Sequence, residues 1–180
     1  MRTRSCPVCQ SNSYKIDYST KFEYIPGIKN PLSIEVANCN KCNFLFVPEY
    51  IDNSELMDFY SKFSNYEYKD ESEWPEKDRL KSERQFKYCS SKITENSDIL
   101  DFGCSLGYTL NLFKKTGHNC VGIEPSPTAS RYAIENFKLD IITDFYEDNI
   151  PEIGRFDLII LSHVLEHIWR PEVLLKELKK

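Results

Sequence analysis

The 180-residue chain contains no apolar run near the roughly 20 residues that a membrane-spanning helix needs. Its start, Met1-Arg2-Thr3-Arg4-Ser5-Cys6, leads into no signal-peptide core. A cytoplasmic location is therefore expected, with no membrane partner. Basic charge is also scarce. Lys and Arg number 23 against 28 Asp and Glu, a net charge of −5. The first fifty residues hold only six basic against four acidic side chains, too small a surplus to attract a phosphate backbone, so nucleic acid is not an expected partner. There is no internal repeat and no low-complexity tract. What remains is a chain with 41% apolar residues, arranged in short dense runs, long enough for one ordinary domain and a small appendage.

Cysteine is plentiful by contrast. Seven is an odd number, and in a reducing compartment metal binding is favoured over disulfides. Cys6-Pro7-Val8-Cys9 and Cys39-Asn40-Lys41-Cys42 form two C-x-x-C pairs, each able to wrap one edge of a tetrahedral ion. Four thiolates at ~2.3 Å close the shell of Zn²⁺ and leave no position for a substrate, so Cys6, Cys9, Cys39 and Cys42 are expected to hold a structural zinc. A redox role is disfavoured, because thioredoxin-like sites use one pair in a βαβ setting that is absent here. Between the pairs, β-type runs (Tyr14 to Tyr18, Leu32 to Ala37) flank a Pro26-Gly27 turn. That pattern predicts a small zinc ribbon over residues 1–50, with too little core to fold without its metal.

Residues 51–97 read as a helical linker or lid. Asp52 and Glu55 form a capping box, and Leu56, Phe59, Tyr60 and Phe63 follow at i, i+3, i+4 and i+7. A polar stretch with Tyr66, Tyr68 and Trp74 leads to Pro75, the expected start of a second helix reaching about Ile93. Cys89 falls on its apolar side with Phe86 and Ile93, as a small hydrophobe.

From Ile99 the pattern changes to strand, glycine turn and helix. Ile99 to Gly103 reads as a buried strand, Cys104 to Gly107 as a tight loop, and Tyr108 to Thr116 as a helix. A second strand, Asn119 to Ile123, ends in Glu124-Pro125. Ser126 and Pro127 then supply an N-cap and an N1 proline for another helix. Strands follow at Leu139 to Thr143 and Phe156 to Leu161, and a last helix begins at Pro171. This alternation predicts an α/β fold with a doubly wound parallel Rossmann-like sheet over residues 98–180. In such sheets the ligand sits beyond the carboxyl ends of the strands, and Glu124 is placed to accept from ribose hydroxyls. A dinucleotide fingerprint would need glycines at 105 and 108, where the chain has Ser105 and Tyr108, so NAD is disfavoured.

Asp101-Phe102-Gly103-Cys104-Ser105-Leu106-Gly107, Gly122-Ile123-Glu124-Pro125-Ser126, Asp144 and Phe156 to His167 together resemble the successive motifs of class I S-adenosylmethionine-dependent methyltransferases. Ser105 replaces the middle glycine of the D-x-G-x-G-x-G loop. The four-cysteine module is similar to the zinc-binding domain on one branch of that family, which includes C-methyltransferases acting on nucleotide-linked deoxysugars and relatives from polysaccharide and secondary-metabolite pathways. The resemblance implies S-adenosylmethionine as cofactor. Its methionine part would lie along Gly103, Ser105 and Gly107 beside Asp101, its ribose on Glu124, and its adenine against Asp144 and Phe145. Ser162 and His163 would line the methyl-donor side, with His163 the candidate general base. A tyrosine from Tyr60, Tyr66 or Tyr68 is a candidate cover for the acceptor.

His163-Val164-Leu165-Glu166-His167 also spells H-x-x-E-H, the pattern of inverted zinc peptidases. Those enzymes need the motif in mid-helix, whereas here it follows a buried strand and is cut off by Arg170-Pro171. The segment matches instead the L-E-H stretch usual after the fourth strand of methyltransferases. Small-RNA 2′-O-methyltransferases of this fold bind Mg²⁺ through a similar segment and a further histidine that this chain lacks, which leaves a metal there as a minor alternative.

The resemblance implies seven strands in the order 3-2-1-4-5-7-6, and the residues from Asp101 onward supply four. Strands five to seven, with much of the acceptor pocket, are expected in a missing C-terminal part or a partner chain, and the fourth strand is expected at an exposed edge. The leading expectation is a methyltransferase, or its N-terminal part, acting on a small sugar-like molecule. The alternative is a non-catalytic zinc ribbon with a nucleoside-binding fragment, serving as an interaction module or completed by a partner chain.

Overall fold

The computed structural model describes residues 2–24, 32–50, 55, 58, 76–144 and 154–179. The Pro26-Gly27 turn, Asp52 of the capping box, the stripe from Leu56 to Phe63, the aromatics Tyr66, Tyr68 and Trp74, Pro75 and Phe145 lie outside them. The chain divides into two compact units, one of residues 1–63 with Trp169–Lys179, the other of Ser64–Ile168 with Lys180. Among the described residues no helix is long and apolar enough to cross a membrane.

The first unit holds two small antiparallel sheets. Strands β1 (Arg2–Thr3) and β5 (Glu49–Tyr50) pair with each other. Strands β2 (Tyr14–Phe22), β3 (Leu32–Cys39) and β4 (Leu45–Phe46) lie side by side in that order. β2 and β3 extend beyond the runs expected from sequence, and their register shifts between Ile16 and Tyr18. The shift is a bulge at Asp17, which takes a hydrogen bond from Asn38 Nδ2 at 3.0 Å and an ion pair from Lys15 at 3.1 Å. Cys6, Ala37, Cys39 and Phe46 form one buried cluster here, and Leu32, Trp169 and Leu174 are buried in the same unit. Arg4 ties the unit together. Its backbone N–H donates to Pro48 O (2.9 Å), its Nε to Val47 O (2.9 Å) and its Nη1 to Trp169 O (2.6 Å), while its guanidinium stacks 4.8 Å from the Trp169 ring.

The second unit is the α/β sheet, with helix α1 (Glu76–Ser90) ahead of it. Four strands, β6 (Asp98–Phe102), β7 (Asn119–Ile123), β8 (Asp140–Ile142) and β9 (Leu158–Ile160), are all parallel and lie in the order β8-β7-β6-β9. In order of appearance that is 3-2-1-4, with β9 at an edge of the four. Helices α2 (Tyr108–Lys115) and α3 (Pro127–Phe137) make the crossovers. Parallel neighbours need such long connections, and the helices cover a sheet buried on its faces. Ile99, Leu110, Phe113, Ala133 and Ile160 belong to one contiguous core, against which Phe86, Cys89 and Ile93 pack. The Phe86 and Phe113 rings meet edge to face at 4.9 Å.

Helix α3 shows how the sequence sets its own limits. Ser126 caps it by accepting the Ala129 N–H at 3.4 Å, Pro127 occupies the first turn, and Lys138 ends it in the left-handed conformation at φ 54. The last helix, α4 (Pro171–Leu178), also starts on a proline and belongs to the first unit. Between β9 and α4 the H-x-x-E-H stretch forms only a single 3₁₀ turn, Leu165–His167.

Candidate functional site

The strand order turns back between β6 and β9, because β7 and β8 lie on one side of β6 and β9 on the other. Open α/β sheets bind ligands at this switch point, outside the carboxyl ends of the strands. The segments that leave those ends are Gly103–Gly107 after β6, Glu124 after β7, Asp144 beyond β8, and Ser162–His167 after β9. Asp101, Gly103, Ser105, Gly107, Glu124 and Ser162 therefore gather at one end of the sheet. Asp144 is exposed there, as is His163.

The loop after β6 has an unusual backbone. Gly103, Ser105 and Gly107 all have positive φ, at 79, 54 and 78. An alternating left-handed backbone is what a D-x-G-x-G-x-G pattern supplies, and Ser105 adopts it despite its Cβ, at a cost of about 1 kcal/mol. Space imposes glycine independently at the outer two positions. A Cβ on Gly103 would stand 2.5 Å from Val164 Cγ2, and one on Gly107 would stand 2.6 Å from Leu139 Cδ1. A third close approach lies beneath the loop, where a Cβ on Gly122 would meet Ile141 Cδ1 at 2.5 Å and Cys104 Sγ at 2.7 Å.

Glu124 locks this loop to the next helix. Its Oε2 accepts the Ser105 N–H at 2.9 Å and its Oε1 the Ser126 N–H at 2.8 Å. The side chain is buried, which raises its pKa, while the Ser126 and Ser105 amides oppose the rise. Each carboxylate oxygen keeps a second lone pair, so a hydroxyl can still donate to it. Asp101, inside β6, is pushed up to about 7 by burial and by the charge of Glu124, against a lowering from Lys81. Two carboxylates thus share one desolvated corner beside a glycine cradle, a setting that favours a ligand with hydroxyl donors and positive charge. The sequence pattern puts Glu124 at the end of the second strand but carries no sign of its role as anchor of the loop, since the Ser105 contact spans two strands.

The H-x-x-E-H residues do not assemble as metal ligands. His163, Glu166 and His167 are all exposed, and His163 itself has a left-handed backbone at φ 56. Among the described residues the only group of three or more potential metal ligands lies elsewhere, at Cys6, Cys9, Cys39 and Cys42.

That cluster is built from two matching turns. Gln10 N–H closes the first onto Cys6 O at 2.9 Å, Asn43 N–H closes the second onto Cys39 O at 2.8 Å, and both closing residues are left-handed, at φ 60 and 58. The sulfurs of Cys6 and Cys42 lie 3.6 Å apart and those of Cys9 and Cys39 3.5 Å, with all four within 4.8 Å of one another. A tetrahedral ion with ~2.3 Å metal–sulfur bonds spaces its ligands about 3.8 Å apart, so this donor set fits one. Burial raises the Cys39 pKa, yet the Cys42 and Lys41 N–H groups and the neighbouring thiols bring it down to about 6. Cys42 is driven up to about 12 despite the Phe44 N–H, because burial and three adjacent thiols oppose its ionisation.

A parallel sheet with a glycine cradle and a buried carboxylate at its switch point is the arrangement of an open α/β fold of the Rossmann-like class. Comparison with known proteins narrows that class. The family model described as a methyltransferase domain matches residues 73–180, more than half of the chain, and the chain belongs to that family. Among solved structures it is similar to a TehB-like SAM-dependent methyltransferase from Corynebacterium glutamicum (24% identity over 42% of this chain and 41% of that one, TM-score 0.40). It is also similar to the plantazolicin methyltransferase BpumL in complex with a pentazolic analogue and SAH (24% identity, 59% of this chain and 43% of that one, TM-score 0.47). A third is the complex between the Haloferax volcanii Trm112 methyltransferase activator and a methyltransferase (18% identity, 58% and 48%, TM-score 0.47). The chain spans less than half the length of each of these three. No curated protein matches it.

Proposed function

We propose that the protein is an S-adenosylmethionine-dependent methyltransferase, or the donor-binding part of one, acting on a small sugar-like acceptor. Family membership and the cradle at the switch point support this. The observation that carries it is Glu124, whose two oxygens hold the Ser105 and Ser126 amides and keep lone pairs for a ribose. The backbone of Gly103, Ser105 and Gly107 would face the methionine part of the donor beside Asp101. Asp144 and Phe145 would flank the adenine, and Ser162 and His163 the methyl side. The donor supplies an electrophilic methyl group on a positively charged sulfur. The residues of this chain bind and orient it, and His163 takes up the proton that the acceptor releases.

The cysteine cluster completes the proposal. Cys6, Cys9, Cys39 and Cys42 would hold one structural Zn²⁺, since four thiolates close its shell. A nucleotide-linked sugar or a precursor from polysaccharide or secondary metabolism is the acceptor class proposed, in a cytoplasmic setting. The remaining strands of the acceptor pocket would come from further chain or from a partner. Transfer of a labelled methyl group from S-adenosylmethionine to a panel of nucleotide sugars tests the reading. Incorporation into a sugar supports it, and saturable donor binding with no transfer at any protein concentration would leave a binding module in its place.

A further inference from the structure

The chain has three histidines, and the fold separates them. His118 precedes β7, at the amino ends of the strands, where its Nδ1 accepts the Ser97 N–H at 3.2 Å. His163 and His167 follow β9, at the end where the glycine cradle lies. Only His163 has a carboxylate placed against its ring among the described contacts. Its Nδ1 is 3.5 Å from Oε1 of Glu166, and both side chains are open to solvent.

The segment that carries this pair is held firmly. His163 sits at φ 56, a conformation that histidine tolerates better than most residues. Its neighbour Val164 is buried, seated on the Gly103 turn so closely that no Cβ fits between them. Glu166 lies in the 3₁₀ turn, closed by His167 N–H to Val164 O at 2.8 Å and Ile168 N–H to Leu165 O at 3.3 Å. One short, backbone-bonded loop thus carries an imidazole and a carboxylate side by side, next to the residue that packs on the Gly103 turn.

We infer that Glu166 is the positioning residue of His163. By accepting from the Nδ1–H it holds the tautomer in which Nε2 carries the lone pair, and Nε2 takes the acceptor's proton. The inference rests on the methyltransferase reading above. In the balanced step, the acceptor's electron pair forms the new bond to the methyl carbon, the S–CH₃ bond pair returns to sulfur, and the acceptor proton moves to Nε2. The imidazolium so formed keeps its Nδ1–H toward Glu166. At 3.5 Å the two atoms stand slightly beyond hydrogen-bond length, a gap that a small rotation of either exposed side chain closes in the free protein. An exposed pair adds little to stability, so what Glu166 contributes is orientation.

The tautomer can be read directly on the full chain by nitrogen NMR with labelled histidine, at a pH high enough to keep imidazoles neutral. Loss of one set of peaks in His163→Asn assigns the ring. A free imidazole prefers the proton on Nε2, so the expected majority of Nδ1–H at His163 is diagnostic. Glu166→Ala should return the ring to Nε2–H, while Glu166→Gln, which keeps an acceptor oxygen, should preserve Nδ1–H. An Nε2–H majority in the wild type, or no change in Glu166→Ala, overturns the inference. On turnover, Glu166→Ala is expected to lose at least tenfold in kcat with KM and donor affinity unchanged. A switched tautomer with unchanged kcat overturns the catalytic role. Because the tautomer is measured without donor or acceptor, a failure of methyl transfer would remove the methyltransferase reading while leaving the Glu166–His163 contact separately decided.

Discussion

The seven cysteines divide between the two units, and their surroundings differ as the units do. Cys104 is buried under the glycine loop, where desolvation and then the charges of Asp101 and Glu124 hold its thiol well above the ordinary range. Burial likewise pushes Cys120 up to about 11 and raises Cys89. These three are packed as small apolar groups against a core that runs from Ile99 to Ile160. In the other unit Cys6 and Cys39 are themselves half of one buried cluster, beside Ala37 and Phe46. The sheet unit is held by apolar burial, whereas a buried cluster of the cysteine unit is built around four sulfurs whose spacing fits a tetrahedral ion.

The proposed zinc gives the harshest way to break that comparison. Cys39→Ser, or chelation of the wild type, is expected to abolish a zinc content near one per chain and to unfold the cysteine unit outright. Amide exchange should show protection lost along Tyr14–Phe22 and kept along Asp98–Phe102. Equal loss in both would mean that the sheet also depends on the metal. In the sheet the corresponding weak point is close packing. Gly122→Val should destabilise the sheet unit by about 1–3 kcal/mol or more, because its side chain would collide with Ile141, Cys104 and Leu110. Chemical unfolding followed by tryptophan-independent probes such as far-ultraviolet dichroism measures it, and a midpoint equal to the wild type would contradict the packing.

A gentler probe uses the buried acids. A carboxyl raised from 3.8 to about 7 in the folded state holds a proton that the unfolded chain releases. Its contribution to stability is full below about pH 4 and is lost as pH rises through about 7, at up to ~1.4 kcal/mol per pH unit. Asp101→Asn should remove that slope, so the variant gains on the wild type across this window. Parallel stability curves would show that Asp101 ionises normally. The smallest effect concerns Ser105. Ser105→Gly relieves a left-handed backbone but loosens the unfolded chain, for a net gain of at most about 0.5 kcal/mol. A loss of stability would mean that the serine side chain supports the loop.

Local chemistry made much of the sheet legible in the sequence. β7 falls at Asn119–Ile123 as its apolar run predicts, and Ser126-Pro127 starts α3 as cap and first turn. The two C-x-x-C pairs announce a four-sulfur cluster through spacing alone, and the sulfurs do meet. Less legible were the features set by distant contacts. The bulge at Asp17 depends on pairing across to Val36 and Ala37. The grouping of Trp169–Lys179 with the cysteine unit rests on Arg4, far away in sequence, reaching the Trp169 carbonyl and ring. The need for glycine at 122 comes from Ile141 on a neighbouring strand, which no local pattern encodes.

Glu124 is where loop geometry and proposed function coincide. Calorimetric titration of the zinc-replete chain with S-adenosylmethionine and S-adenosylhomocysteine, beside the Glu124→Ala variant, is the most direct test. If Glu124 holds the donor, the wild type binds saturably and affinity falls by about 1–3 kcal/mol, roughly five- to 150-fold, when the carboxylate is removed. No binding by a folded wild-type chain, or equal affinity in the two proteins, would contradict it.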